Sequence, residues 1–325
     1  MKKKSHSFPL PALAGVLLLA DTARRCCAAY MTRVAIDRKL PPHPTSARRL
    51  TGSMTDPALL QKAEEAGNAL AALPHETVHL VAPDGTDLAA HWFCRSHPQR
   101  VIIAMHGWRS SWNRDFGPIF PFLQNSACSV LFPEQRGQGQ SGGAYLSFGA
   151  LEHQDCLLWA DWVMAQCGPS IPCYLYGVSM GASTVLLAGG CPLPPNVHGI
   201  ISDCGYTSPA AIWDHVARNN LHYSKLLWHR SATRRCRRKL HIDMETGSCP
   251  EALKKCTVPV LFIHGSDDRF VPVGMAYENF SACASPKRLL IVPGAAHAMS
   301  DLTDPAGYRA ALTAFWAEFD NRCPL

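Results

Sequence analysis

Two hydrophobic patterns alternate along the chain. Short, mostly unbroken apolar runs stand at residues 101–105, 129–132, 174–178, 198–202, 258–263 and 288–292. Runs of that length and continuity predict strands buried on both faces, as central parallel strands are. Between them, apolar residues recur at helical spacing over 151–166, 182–188, 273–283 and 305–319. Repeated strand and helix of this kind predict an α/β fold, a mostly parallel doubly wound sheet. Ahead of the first buried run, residues 77–81 and 88–93 alternate apolar and polar positions around Pro83-Asp84-Gly85-Thr86, which predicts an antiparallel hairpin at one sheet edge. Asp56-Pro57 offers an N-cap and a first-turn proline, so a helix is expected from there to Leu73.

The rhythm fails in two places. At the start, Lys2-Lys3-Lys4 precede an apolar stretch over 8–20, the order of a secretory signal but too short for an ordinary spanning helix. Cys27-Ala28-Ala29 resembles a cleavage site, with Arg24 and Arg25 unusually close to it. Residues 1–29 are therefore read as a signal-like or anchor segment, and 30–55, with Pro41-Pro42-His43-Pro44, as a linker to a domain over 56–325. Membrane association or export is expected from this end of the chain, with a cytoplasmic chain as the alternative. The second break covers 205–250, where an amphipathic stretch at 211–228 is followed by a basic run at 230–239. Inserted between two strands, it is expected to form a helical cap over their C-terminal ends.

At 325 residues with 47% hydrophobic and 17% charged residues, the chain suits one large domain with an insertion, and the composition excludes general disorder. The net charge of +6 lies mainly in the N-terminal segment and in the 230–239 run, without a nucleic-acid-binding motif, so no nucleic-acid partner is expected. Fourteen cysteines are scattered with no Cys-x-x-Cys pair, which predicts reduced, mostly buried thiols. His215, His222 and His229 stand seven apart, too distant on one straight helix to share a metal. The Gly-dense loop at 133–143 lacks the Gly-Lys-Ser/Thr end and the ribose-binding acid of nucleotide sites. No metal and no cofactor are expected.

The candidate chemistry begins at Gly177-Val-Ser-Met-Gly181, between an apolar strand and a small-residue helix. Glycines flank Ser179 where a strained turn brings strand and helix close, and the turn presents the serine hydroxyl at a helix N-terminus. Such a hydroxyl needs a general base, and the base needs an acid that orients it. Ser179, Asp268 and His297 occur in that chain order, each just after a predicted strand, so a parallel sheet delivers all three to one rim. Asp267 and Asp203 are alternatives for the acid; Asp268 is preferred because Val271-Pro272 opens the next helix and leaves it nearer the loop apex. The backbone N–H groups of Met180 and Trp108 are the candidate oxyanion donors, with Gly107 allowing a sharp turn before the latter.

Six stretches carry a resemblance: 106–112, 137–143, 177–181, 203–208, 263–272 and 293–300. From about residue 76 to 319 the chain is similar to α/β-hydrolase-fold serine hydrolases. More closely, it resembles a bacterial, often membrane-anchored branch related to cinnamoyl esterases and lysophospholipases. The resemblance implies Ser179, Asp268 and His297 as catalytic residues, a small-molecule carboxylic ester as substrate and an N-terminal anchor. It departs at Glu134, where the family commonly has Asp, and at Gln138, where it commonly has His. Peptidase, thioesterase or acyltransferase chemistry could use the same three residues. A serine rather than an aspartate at 179 argues against epoxide hydrolysis or dehalogenation. A catalytically idle scaffold used for binding would predict a missing member, and none is missing.

Overall fold

The computed structural model describes residues 10–40, 56–220, 225–243 and 247–321. Its centre is an eight-stranded sheet: β1 (Glu76–Val81), β2 (Asp87–Phe93), β3 (Arg100–Met105), β4 (Cys128–Glu134), β5 (Cys173–Val178), β6 (Val197–Asp203), β7 (Val260–Gly265) and β8 (Lys287–Val292). The spatial order is β1-β2-β4-β3-β5-β6-β7-β8. The β1–β2 hairpin is the antiparallel edge, β2 is antiparallel to β4, and every other neighbouring pair is parallel.

The unbroken apolar runs follow from burial on both faces, because successive side chains point to opposite sides of a strand. In β3, Val101, Ile103 and Met105 enter one apolar layer, and Ile102 and Ala104 enter the other. The first layer is completed by α5 (Glu152–Cys167) and α6 (Met180–Ala188), through Trp159, Val163, Val185 and Leu186. The second is completed by α3 (Trp112–Phe116), α4 (Phe120–Asn125) and α12 (Pro305–Phe319), through Phe116, Leu123 and Phe315. Each such fully buried side chain contributes about 1.5–3 kcal/mol relative to its exposed state.

Two of these helices, α3 and α4, fill a stretch with no earlier expectation; at five and six residues they are too short to show a period. The N-terminal part departs further. Helix α1 (Leu10–Ile36) runs on through Tyr30, so the first seven residues of the expected linker are helical, and Asp37 then pairs with Tyr145 as an isolated antiparallel bridge. Ala28, Thr32, Val34 and Ile36 are buried in the fold. The rest of that linker, 41–55, and Lys2-Lys3-Lys4 lie outside the described residues. Among the described residues no helix is long and apolar enough to cross a membrane. In α1 the apolar positions are interrupted by Asp21, Arg24, Arg25 and Arg33. Helix α2 (Pro57–Ala71) starts where expected, with the Asp56 carboxylate accepting from the Ala58 N–H.

The insertion between β6 and β7 is helical but not one amphipathic helix. It consists of α7 (Pro209–His215), a wide turn over Val216–Asn220, α8 (Lys225–Leu240) and α9 (Cys249–Leu253). Asn219 bonds the His215 ring and draws that side chain to the break, where two consecutive asparagines are poor helix formers. His215 and His229 are thus on different helices, and His222 lies outside the described residues. Helices α7 and α8 lean over the sheet rim and α8 packs on α1, whereas α9 packs on α6 and on α10 (Gly274–Ala282) as part of the core layer. A short α11 (Ser300–Thr303) precedes α12. Thirteen cysteines lie among the described residues and form no disulfide with one another; eight of them are buried.

Candidate active site

The turn from β5 to α6 holds Ser179 at φ 56°, ψ −114°, in the left-handed half of backbone space. A non-glycine residue there is strained by about 1–3 kcal/mol and persists only when its surroundings enforce it. Here they do: the Ser179 N–H donates to the Asp203 carbonyl on β6 (2.9 Å), and the Ser179 carbonyl accepts from the Ser183 N–H (3.1 Å). The flanking glycines have no alternative. A Cβ on Gly177 would lie 2.1 Å from the Gly181 carbonyl oxygen, and one on Gly181 would lie 1.9 Å from that of Met105.

His297 comes from the loop after β8. Its Nε2 is 2.9 Å from Ser179 Oγ and its Nδ1 is 2.7 Å from Asp268 Oδ2. Asp268, fully buried in the loop after β7, fixes its other oxygen by accepting from the N–H groups of Phe270 (2.9 Å) and Val271 (2.8 Å). Of the three carboxylates weighed as acid, Asp268 is the one that reaches His297. Asp267 is exposed and accepts from its neighbour Ser266 (2.8 Å). Asp203 accepts from Tyr308 (2.9 Å) and Ser300 (3.3 Å).

Charge and burial oppose each other in these groups. Burial alone would raise the Asp268 pKa, but the His297 and His264 rings beside it hold the carboxyl well below the usual carboxylate range. Burial alone would lower that of His297, and the Asp268 carboxylate outweighs it, so the imidazole is more basic than usual. At Asp203 burial prevails and pushes the carboxyl up to about 6, against the Tyr308 hydrogen bond and the His264 and His297 rings.

The rim also carries the loop after β3. His106 is buried, and burial lowers its pKa. Its Nδ1 donates to the Gly107 carbonyl (2.9 Å) and its Nε2 accepts from the Gln135 N–H (3.2 Å), a pair of bonds that fits one neutral tautomer and ties the β3 and β4 loops together. Along the loop that follows, the Gly107 N–H donates to Asp115 Oδ2 (2.6 Å) and the Arg109 N–H to Gln138 Oε1 (2.7 Å). The Trp108 N–H between them has no protein acceptor among the described residues. Met180 is the first residue of α6, where an N–H has no intrahelical partner.

Residues 101–311 match the pattern of the Alpha/beta hydrolase family. The chain belongs to this family. In sequence it is 26% identical over 235 residues to YqkD, an uncharacterised protein of Bacillus subtilis, covering 71% of this chain and 75% of that one. In structure it is similar to an esterase of Pyrococcus furiosus (TM-score 0.63, 17% identity, 82% of this chain and 96% of that one). It is also similar to acetyl xylan esterase 1 of a Thermoanaerobacterium species (TM-score 0.54, 17% identity, 84% and 98%).

The two departures from the resemblance noted in the sequence both brace loops of this alpha/beta hydrolase. Glu134 accepts from the Gln140 N–H and lies 2.7 Å from the buried His91 ring, and Gln138 holds Arg109. Trp108, Phe148, Tyr206, Ile212, Trp213 and Phe270, from the rim loops and α7, pack in one apolar cluster with Met180, the residue after the serine. Phe270 meets the His297 ring edge to face at 4.9 Å. Three contributors to the site were not among the expected residues. His264, buried at the end of β7, lies 3.3 Å from Asp268 Oδ2 and donates to the Val271 carbonyl (2.8 Å). Asp115 holds the loop before Trp108, and Arg109 anchors it to the end of α1. The position of His264, directly after an apolar run as Asp268 and His297 nearly are, was the available signal. Among the described residues the grouping closest to a metal-ligand set is Cys204, Asp268 and His297. There Asp268 and His297 already bond each other, and burial holds the Cys204 thiol well above its usual range.

Proposed function

We propose that the chain is a serine hydrolase that cleaves small-molecule carboxylic esters through an acyl-enzyme. The observation that carries this reading is the continuous hydrogen-bonded path from Ser179 Oγ through both His297 nitrogens to the buried Asp268 carboxylate, at 2.9 and 2.7 Å. Neutral His297 takes the Ser179 proton at Nε2 as Oγ bonds to the ester carbonyl carbon. The imidazolium so formed is stabilised by Asp268, which also keeps the second ring proton on Nδ1. Negative charge gathers on the former carbonyl oxygen and is met by the N–H groups of Trp108 and Met180. His297 then gives its proton to the departing alkoxide, and the C–O bond of the ester breaks to leave Ser179 acylated. Water, losing a proton to His297, attacks the acyl carbon; the bond from that carbon to Ser179 Oγ then breaks, His297 returns the proton to Oγ, and the carboxylic acid leaves. The apolar cluster packed around Met180, next to Ser179, favours an ester with an apolar acyl or alcohol group.

The test is the Ser179→Ala variant, assayed on p-nitrophenyl esters of graded chain length and with a fluorophosphonate label. Loss of both turnover and labelling is expected; undiminished labelling of the variant refutes the reading. The same panel with thioesters, peptide amides and acceptor alcohols separates thioesterase, peptidase and acyltransferase action. A wild-type protein that binds esters without turning any over is a scaffold.

A further inference from the structure

The end of α1 is seated on the loop that carries the proposed oxyanion donor. The Trp108 indole N–H donates to the Ala35 carbonyl at 2.8 Å. The Arg109 guanidinium donates through Nε to the Val34 carbonyl (3.0 Å) and through its terminal nitrogens to those of Asp37 (2.5 Å) and Arg38 (3.4 Å). The last carbonyls of a helix lack intrahelical partners and carry its negative end, so a forked cation satisfies them and is immobilised by them. On its other side Arg109 stacks over the Trp108 ring, 5.3 Å from its centroid. Arg109 also sits at φ 51°, a backbone state that a non-glycine residue keeps only under constraint.

The segment that supplies this constraint is itself fixed on two further sides. Arg38 donates to the carbonyls of Gly139 and Ser141, both at 2.6 Å, and its N–H to that of Ala144 at 2.9 Å. The Leu146 N–H returns a bond to the Ile36 carbonyl (2.7 Å). From the cap, Lys239 of α8 pairs with Asp37 at 2.6 Å. Residues 34–38 therefore join the β3 loop, the Gly-rich loop and the cap at one point.

We propose that residues 34–38 are a positioning element of the active site, holding the Trp108 N–H toward the developing oxyanion, with Arg109 as the positioning residue that transmits the constraint. This rests on the acyl transfer proposed at Ser179. It gives the N-terminal segment a part in turnover, one that neither a removable leader nor a linker has. Displacing a backbone donor by a fraction of an ångström weakens the transition state while leaving substrate binding nearly intact.

The experiment compares full-length Arg109→Lys and Trp108→Phe with wild type, with Arg25→Gln, on the exposed part of α1, as control. Lysine keeps the charge but cannot fork across three carbonyls; phenylalanine keeps the ring but loses the bond to Ala35. The readouts are kcat, KM, inhibition by a trifluoromethyl ketone, whose hydroxyl adduct on Ser179 needs the oxyanion donors, and thermal midpoint. For Arg109→Lys, kcat is expected to fall about 10- to 100-fold, with KM within about threefold of wild type. Affinity for the ketone falls by the same factor, the effect of Trp108→Phe is smaller in the same direction, and Arg25→Gln is unchanged. If Arg109→Lys is unfolded, Trp108→Phe decides alone. Unchanged kcat and unchanged ketone affinity overturn the inference, and so does a lower kcat with unchanged ketone affinity, since the loop then acts only on the substrate wall. Turnover persisting in Ser179→Ala overturns the proposed function as well; silent loop variants beside a dead Ser179→Ala overturn only this inference.

Discussion

Replacing Asp268 by asparagine alters one atom and reverses the polarity of the contact with His297. The Oδ1 side of the group can still accept from the N–H groups of Phe270 and Val271, so the loop keeps its anchor. On the other side, an amide NH₂ replaces the oxygen that lies 2.7 Å from His297 Nδ1. An amide donor there selects the tautomer with a bare Nδ1, which places the ring proton on Nε2, facing Ser179 Oγ, where a proton acceptor is required. The variant also loses the buried charge that stabilises the imidazolium. The expected fall in kcat is about ten-thousand-fold, equivalent to about 5.5 kcal/mol of barrier. The assay is steady-state hydrolysis of a p-nitrophenyl ester at pH 8, with Asp267→Asn as the control that keeps wild-type rates. An Asp268→Asn variant retaining more than about a tenth of wild-type kcat would falsify the assigned hydrogen-bond order. The variant has a second signature in stability. Because the Asp268 carboxyl is depressed in the fold, its ionised form contributes stability that is present above the unfolded value of 3.8 and lost as pH falls through the folded value. Asp268→Asn removes that part of the acid unfolding limb, which urea titrations from pH 5 down to pH 2 detect.

Two further outcomes follow from the charges at the rim. The rate constant kcat/KM should rise with pH as His297 loses its proton, with a midpoint above the ordinary value of 6.5, because Asp268 makes the free enzyme's imidazole more basic. A midpoint at or below 6.5 in a pH–rate profile contradicts that coupling. Asp203 works in the opposite sense: its pKa is raised to about 6, so its contribution to stability is complete below 3.8 and is lost as pH rises through 6. Asp203→Asn, which keeps an acceptor for Tyr308, should therefore gain on wild type by on the order of 2–3 kcal/mol between pH 3 and 8; denaturant midpoints that stay parallel across this range rule it out.

The strands and the serine turn were legible because single residues there answer to forces that act locally. Burial on both faces writes itself as an unbroken apolar run, as in 101–105, and the close approach at Gly177 and Gly181 excludes any side chain. The order Ser179, Asp268, His297 could be read because parallel strands deliver their ends to one rim. What stayed hidden depends on partners remote in the chain. Nothing between Tyr30 and Ile36 announces a helix, since its last turn is satisfied by Arg109 and by backbone at 144–146, more than seventy residues away. The basic run over 230–239 gives no sign that Lys239 will pair with Asp37. His264 looked like an ordinary residue closing a strand, and its role emerges only once Asp268 folds back beside it.

The three side chains joined at the rim all hang from loops of the sheet, whereas much of the apolar cluster beside them comes from α7, α8 and the end of α1. The parts that would perform the reaction and the parts that would choose what reacts are thus separate stretches of polymer. Exchanges along 209–217 can reshape that cluster while the alcohol, ring and carboxylate keep their mutual spacing. The same partition sets the N-terminal turn apart: its carbonyls also hold Trp108 and Arg109, so it is the stretch least free to change.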